Sequence, residues 1–185
     1  MRSAIPIVLT ALALLATGCG GGTPGPGSAT AAPPSTAVPQ RPRDVAAHTV
    51  PACELLTSAQ QGEFRVSRIE PGPTDGSQDP WCAYVVGPAG HRFVLTPWAG
   101  AGIESWLGIS SAKAALIGVA GFPAARVSSV AGRGAPCGVH ISVAEGRTLA
   151  VTGTATRPGI GEDELCGLTE RMAGAALATA LSRAR

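Results

Sequence analysis

The distribution of cysteines constrains this chain more than any other feature. Four of its five cysteines follow residue 50, and the fifth, Cys19, ends an apolar run near the N-terminus. An even number of cysteines in an exported domain indicates disulfides, and four cysteines allow three pairings. We expect Cys53–Cys82 and Cys137–Cys166, because each pair is separated by 29 positions and joins a predicted helical segment to a predicted strand. A four-cysteine zinc site is the alternative, but the cysteines lack the short C-x-x-C type of spacing that such sites use.

The N-terminus has the order of a secretory signal. Arg2 supplies one positive charge, and an uncharged apolar stretch follows from Ala4 to Ala16. This stretch is shorter than the ~20 residues that span a bilayer, and signal peptides have this charge, apolar core and small-residue order. The sequence Ala16-Thr17-Gly18-Cys19 resembles the lipobox of bacterial lipoprotein precursors. The resemblance implies that Cys19 carries a diacylglycerol and becomes the mature N-terminus. The alternative is an ordinary cleaved signal that is followed by a cysteine by coincidence.

A segment without aromatic residues separates Cys19 from the rest of the chain. Glycine, proline, serine, threonine and alanine dominate it, and no charge occurs between residues 20 and 40. Such a composition buries too little apolar surface to fold. We therefore predict a signal peptide at residues 1–18, a disordered tether at 19–49 and one disulfide-stabilised globular domain at 50–185.

The charges of the chain without its signal peptide are nearly balanced. Removing Arg2 leaves 13 basic residues against 12 acidic residues. Proteins that bind nucleic acid carry a basic patch or stripe, so the balance argues against that class of partner. The expected partner is instead the membrane, through the lipid on Cys19, at the extracytoplasmic face of the cell membrane.

The periodicity of the domain predicts an α+β fold. Thr57 to Gln60 has a capping-box pattern that starts a short helix, after a helical turn near Cys53. Alternating strands follow, among them the segments around Cys82 and Cys137, and Ala144 to Arg147 is a hairpin turn with a glycine. The last segment, from Glu162, is acidic at its start and has apolar residues at a spacing of three to four, which indicates an amphipathic helix.

These elements predict one antiparallel sheet of about five to six strands, with short N-terminal helices and the C-terminal helix packed on it. The stretch from Gly100 to Gly118 is ambiguous. We interpret it as a short helix near Ile103–Trp106 and a second short helix near Lys113–Ile117.

The candidate catalytic residues form no complete site. Ser110 and Lys113 match the S-x-x-K pattern, but the S-D-N and K-T-G partners are missing from the sequence. His48 lies in the predicted tether, His91 lies in a turn, and His140 lies on the polar side of a strand. We therefore expect no catalytic residues, no metal and no cofactor.

Two tryptophans flank a glycine-rich stretch and are the candidates for a contact surface. Trp98 and Trp106 offer large apolar area with one hydrogen-bond donor each, as interface tryptophans do. The alternative, which we favour, is that both fill the core where the loop crosses the sheet.

Four segments resemble a known family in their order along the chain: "PACELLTSAQ", "WCAYV", "APCGVHISVA" and "DELCGLTERMAGAAL". They are similar to actinobacterial lipoproteins with a domain of unknown function, domain family three-five-five-eight. In that family an aromatic residue, often tryptophan, lies two positions after the second cysteine of the domain, where this chain has Tyr84. The resemblance implies a lipid-anchored, disulfide-bonded envelope protein and implies no reaction.

The sequence thus favours a non-enzymatic binding or adaptor protein of the cell envelope, whose partner is an envelope protein or an apolar ligand. An envelope sensor or structural module is the alternative, and a small cell-wall hydrolase-type enzyme is a weaker one. A cleft that holds His140 or Ser110 beside a second titratable group would favour the enzyme. An apolar groove at Trp98 and Trp106 would favour a ligand-binding protein.

Overall fold

The structure is a computed structural model that describes residues 37–73, 79–129, 136–157 and 159–183, without the side chains of residues 98 and 99. These residues belong to one compact unit, Ala37–Arg185. The elements, in chain order, are two 3-10 turns (Ala47–Thr49 and Ala52–Glu54), α1 (Ser58–Glu63), β1 (Val66–Pro71), β2 (Cys82–Val86), β3 (His91–Ala99), α2 (Ile103–Leu107), β4 (Ala112–Val119), β5 (Phe122–Ser129), β6 (Cys137–Ala144), β7 (Arg147–Thr154) and α3 (Glu162–Arg183).

The strands form one antiparallel sheet. Their order is β1-β2-β3-β7-β6-β5-β4, so every consecutive pair of strands is a neighbour except β3 and β4. The chain leaves β3 at one side of β7, passes through α2, and returns as β4 at the far edge. The predicted hairpin turn is confirmed, since Ala144 pairs with Arg147 and Gly146 has a φ of 62°. The α+β class is confirmed as well.

The helix α3 covers one face of the sheet over its central strands. Its buried side chains are mostly small or apolar, and they include Leu165, Met172, Ala176 and Leu177. Gly153 of β7 permits the close approach, because a Cβ at this position would lie 2.5 Å from Oγ1 of Thr169 and 2.6 Å from Cε1 of Phe93. The core of the domain therefore lies between α3 and this face, as the amphipathic pattern predicts.

Both expected disulfides are present in the structure. Cys53 is bonded to Cys82 and Cys137 to Cys166, and each bond closes a separation of 29 residues. The first bond joins the second 3-10 turn to β2, and the second joins β6 to the first turn of α3. Each therefore fastens a helical segment to the core face of the sheet.

Tyr84 strengthens the first of these attachments. Its side chain is fully buried, and its hydroxyl donates a hydrogen bond of 3.3 Å to the carbonyl of Ala52, next to Cys53. Burial raises the pKa of Tyr84 to about 12, the neighbouring carboxylate of Glu54 adds to the rise, and a backbone hydrogen bond from Leu56 opposes it. The phenol is therefore a neutral structural donor.

The capping box that starts α1 is also confirmed. The backbone N–H of Gln60 donates to Oγ1 of Thr57 at 3.3 Å, and the backbone N–H of Thr57 donates to Oε1 of Gln60 at 2.8 Å. The side-chain nitrogen of Gln60 also donates to the carbonyl of Ala175 in α3 at 3.1 Å. The cap therefore ties α1 to the C-terminal helix.

Two expectations about the elements differ from the structure. The sheet has seven strands rather than five to six, and the predicted helix at Lys113–Ile117 is wrong, because these residues lie in β4. The strand forms because β4 pairs with β5 along its whole length. The two-residue turn Ala120-Gly121, in which both residues have positive φ, connects the two strands. Turns of this kind have a backbone twist that matches the right-handed twist of the two strands they connect. The helix near Ile103–Trp106 is confirmed as α2.

The packed domain begins before the predicted boundary at residue 50. Val45 is 4% exposed and Ala47 is fully buried, and the backbone N–H of Val45 donates to the carbonyl of Val143 at 2.7 Å. These residues belong to the core because they lie against β6, a contact that the local composition does not reveal. The predicted signal peptide, Cys19 and the tether up to residue 36 lie outside the described residues.

Candidate functional site

The sheet has a second face, opposite α3, that carries a different set of side chains. In β6 this face holds Gly138, His140 and Ser142, and in β7 it holds Thr148 and Ala150, which pair in register with Ser142 and His140. The helix α2 contacts β4, β5 and β6. The second face is therefore the place where polar side chains and a short helix meet.

Trp106 of α2 and His140 of β6 stack on each other. The centroids of the two rings are 3.7 Å apart and their planes differ by 16°. His140 is 5% exposed, and burial lowers its pKa to about 4. The imidazole is therefore neutral at physiological pH, and it can donate through one ring nitrogen and accept through the other.

Three buried polar atoms on α2 and on this face of the sheet have no hydrogen-bond partner among the described residues. They are Nε1 of Trp106, Nδ1 of His140 and Oγ1 of Thr148. Buried polar groups in native proteins are nearly always paired, and those that are not call for an explanation. We refer to Trp106, His140, Ser142 and Thr148 as the polar cluster. The polar cluster combines the indole N–H of Trp106, which can only donate, with the imidazole of His140, which can donate and accept. The hydroxyls of Ser142 and Thr148 complete it.

A cleft of about 490 Å³ adjoins the polar cluster. Residues 38–44 line it together with Glu104 of α2 and Ser142 of β6. Ser142 therefore belongs both to the polar cluster and to the cleft, which we call the N-terminal cleft. Its volume lies in the range of small-molecule sites.

The charges of the N-terminal cleft divide into a paired set and an open set. Arg41 forms an ion pair with Asp44. Arg43 and Glu104 are exposed, and none of the salt bridges between described residues involves either of them. The cleft therefore holds one guanidinium and one carboxylate that take part in none of the ion pairs between described residues.

The S-x-x-K residues do not form a catalytic arrangement. Ser110 lies in a turn and Lys113 lies in β4, so the two are not one helical turn apart as the mechanism needs. The ammonium of Lys113 is instead 3.9 Å from a carboxylate oxygen of Glu162, at the start of α3. Both Ser110 and the side chain of Lys113 are exposed.

The histidines lie apart from one another. His48 lies in the first 3-10 turn and is exposed. His91 lies in β3 beside a smaller pocket of about 260 Å³ that Glu164 also lines. His140 lies in the polar cluster. In the parts of the chain that the structure describes, no group of three or more His, Cys, Asp or Glu side chains could hold a metal ion.

The structure describes the side chain of only one of the two candidate tryptophans, Trp106. Trp106 is partly buried, and its ring stacks on His140. The side chain of Trp98 lies outside the described residues. The N-terminal cleft is lined by Glu104 of α2 and not by Trp106.

Several residues of this region were not anticipated from the sequence. Arg43 and Glu104 belong to segments predicted as tether and short helix, and Thr148 belongs to an alternating strand. The alternation of His140 and Ser142 with apolar residues was the one usable signal, because it placed both on one side of a strand. The tertiary fold brings α2 and residues 38–44 to this side of β6, and the sequence gives no sign of that approach.

Comparison with known families gives one match. The model of the family described as "Protein of unknown function (DUF3558)" matches residues 14–179. The chain belongs to this family. No curated protein and no solved structure gives a significant match. Membership in DUF3558 covers the described domain and assigns no activity to it. Among the described residues, no helix is both long and apolar enough to cross a membrane.

Proposed function

We propose that this DUF3558 protein is a lipid-anchored binding protein at the extracytoplasmic face of the cell membrane, and that it holds a small polar ligand in the N-terminal cleft. The observation that carries the binding role is the cleft of about 490 Å³, which the exposed charged side chains of Arg43 and Glu104 line together with Ser142 of the polar cluster. Trp106, His140 and Thr148, whose buried polar atoms have no partner among the described residues, do not line the cleft, so the cleft meets the polar cluster at Ser142.

The lining of the cleft indicates the chemistry of that ligand. Arg43 offers a guanidinium for a carboxylate, and Glu104 offers a carboxylate for an amine or for hydroxyls. The Ser142 hydroxyl at the junction with the polar cluster can donate or accept. A compound with both charge signs, or with a carboxylate and several hydroxyls, fits this set better than the apolar ligand expected from the tryptophans.

The disulfides support the proposed location. Disulfides persist in oxidising compartments outside the cytosol, and both bonds of this domain join buried core elements. This agrees with the signal-like N-terminus and the lipobox-like sequence that ends at Cys19. A diacyl anchor there would hold the domain stably, because two acyl chains bind far more tightly than the single chain that gives reversible binding.

The anchor is tested with Cys19→Ala in the producing cell, with Ser28→Ala as the matched control in the same segment. We expect the wild type and the control to partition into the detergent phase of Triton X-114. The Cys19→Ala chain should lose its lipid label and move to the aqueous phase. Equal partitioning of all three proteins would refute the anchor.

The binding role is tested by native mass spectrometry of protein extracted gently from its own membranes. We expect a bound species on the wild type that is lost in an Arg43→Gln, Glu104→Gln double variant. The control is Arg157→Gln, which removes an exposed charge outside the cleft. A bound species that the double variant retains, or its absence from the wild type, would contradict the proposed ligand site.

A further inference from the structure

The short helix α2 is held on the second face of the sheet mainly by two of its five residues. Ile103 is fully buried, and the indole ring of Trp106 stacks on the imidazole of His140, with the two ring centroids 3.7 Å apart. The other residues of α2 are half-buried or exposed. A helix of this length is not stable by itself in water, so the position of α2 depends on these two contacts.

The hydrogen bonds described for α2 do not reach the sheet. The N–H of Gly108 donates to the carbonyl of Glu104 at 3.1 Å, and the N–H of Ile109 donates to the carbonyl of Trp106 at 3.4 Å. No side chain caps the start of the helix. None of the salt bridges between described residues involves α2. The stack on His140 is therefore a large part of what keeps α2 in place.

The stack can be made only by a neutral imidazole without a large cost. His140 is 5% exposed, and its Nδ1 is buried and has no hydrogen-bond partner among the described residues. A protonated imidazole donates through both ring nitrogens. Protonation in this position would therefore leave a charged N–H buried and unpaired, which costs more than an unpaired neutral group. If α2 moved away, the ring that covers the imidazole would be removed and water could reach it.

No charged side chain shares this part of the sheet face with His140. The neighbouring positions of β5, β6 and β7 on the face are Ala125, Val127, Gly138, Ser142, Thr148 and Ala150. The charged groups of the adjoining elements are Glu104 of α2, Glu145 and Arg147 of the β6–β7 hairpin, and Arg41, Arg43 and Asp44 at the N-terminal cleft. Burial is the cause of the lowered pKa of His140. The preference for the neutral imidazole therefore comes from its cover and not from a nearby charge.

We propose that α2 is an acid-sensitive latch, which lifts from the second face when His140 takes up a proton while the sheet and α3 stay folded. The lifted form exposes the imidazole and gives it its ordinary pKa of 6.5, against about 4 under Trp106. Between these values the lifted form binds more protons, so lifting becomes more favourable as the pH falls from 6.5 toward 4. The core lies on the other face, where the Cys137–Cys166 disulfide fastens α3, so the latch can open without exposing it.

Opening of the latch also changes the N-terminal cleft, because Glu104 of α2 lines that cleft. Acid would thus alter binding in the cleft, and this consequence alone rests on the proposed function. The latch itself is tested without any ligand. Its failure and the failure of the ligand site are therefore separate results.

The test is amide hydrogen exchange of the full, oxidised chain in detergent micelles, followed by mass spectrometry at about pH 7.5 and about pH 5, with labelling times scaled to the intrinsic exchange rate at each pH. The two pKa values predict that the equilibrium constant for lifting is about 30-fold larger at the lower pH. We expect the protection of the Gly108 and Ile109 amides to fall by this factor. At both pH values these amides should be at least about tenfold less protected than those of β6, because the latch opens locally.

His140→Phe keeps a ring under Trp106 but does not titrate, so it should abolish the acid-dependent loss of protection. Ser142→Ala, at the next position of the same face of β6, is the matched control and should show the wild-type loss. A second measurement needs no variant: exchange of the imidazole Cε1 hydrogen gives the pKa of His140 in the wild type, which we expect near 4.

Three results would overturn the proposal. The first is protection of the α2 amides equal to that of β6, which would show that α2 opens only with the whole domain. The second is a loss of protection in acid that His140→Phe retains. The third is titration of His140 in the folded wild type at its ordinary pKa, which would show that the stack does not oppose protonation.

Discussion

The buried histidine of the polar cluster makes the stability of the domain depend on pH. His140 is 5% exposed under the ring of Trp106, and burial lowers its pKa from 6.5 to about 4. In the unfolded chain the same imidazole is exposed and takes up a proton near its ordinary pKa. Between these two pKa values the unfolded state therefore binds more protons than the folded state.

The sign and size of the effect follow from this difference in proton binding. Stability rises with pH wherever the unfolded state holds more protons. The contribution of neutral His140 is therefore complete above pH 6.5 and is lost as the pH falls from 6.5 toward 4. One pKa unit corresponds to about 1.4 kcal/mol, so the total loss is about 3 kcal/mol.

The measurement is urea unfolding of the oxidised protein at several pH values from about 4 to about 7.5. The comparison is between the wild type and His140→Phe, which keeps an aromatic ring for Trp106 but does not titrate. Carboxylates also titrate at low pH, but they do so in both proteins. We expect the stability of the wild type relative to the variant to fall by about 3 kcal/mol as the pH is lowered.

Ser142→Ala is the matched control, because it alters the next position on the same face of β6 without removing a titratable group. It should leave the pH dependence as in the wild type. The reasoning is refuted if the difference in the free energy of unfolding between the wild type and His140→Phe stays constant to within about 1 kcal/mol over the whole pH range. Such a result would mean that His140 is equally easy to protonate in the folded and the unfolded protein.

Three further predictions concern the packing of the domain, each checked by urea unfolding. Replacing Cys137 and Cys166 together by alanine should cost about 3.6 kcal/mol, from the chain entropy of a loop of 29 residues; a loss under about 1 kcal/mol would contradict this. Gly153→Ala should lower the free energy of unfolding by about 2–3 kcal/mol, because the added methyl group overpacks the contact with α3. Gly161→Ala, where a Cβ meets no atom within 4 Å, should be nearly neutral. Equal effects of the two substitutions would refute the close approach of Gly153 to α3. Thr57→Ala should lower the free energy of unfolding by about 1 kcal/mol, because α1 loses its cap. Thr57→Ser keeps a capping hydroxyl and should retain most of the wild-type stability. A neutral alanine variant would show that the cap does not contribute to stability.

The local elements with a strong chemical signal were predictable. The capping box at Thr57, the hairpin turn at Gly146 and the acidic start of α3 each depend on residues that are close in sequence, and the structure has all three. The disulfide pairing was predicted from the separation of 29 residues in each pair and from the expected joining of a helical segment to a strand, and the structure has both bonds.

The strand β4 was not predictable in the same way. Its segment has alanine, leucine and lysine, which favour helix, and only the pairing with β5 makes it a strand. Propensity is a weak preference that a complete row of ladder hydrogen bonds overrides. The Ala120-Gly121 turn was a weak signal, because only its glycine is among the residues that two-residue hairpin turns favour.

The sequence by itself determined the covalent and local features of this protein: the cysteine pairs, the helix starts, the turns and the α+β class. These depend on single residues and on short spacings, and such information is readable without a fold. Only the tertiary structure decided that Trp106 stacks on His140, that residues 38–44 reach Ser142 and Glu104, and that β4 is an open edge. Those arrangements join segments far apart in the chain, and their stability comes from burial and pairing that exist only once the sheet has formed.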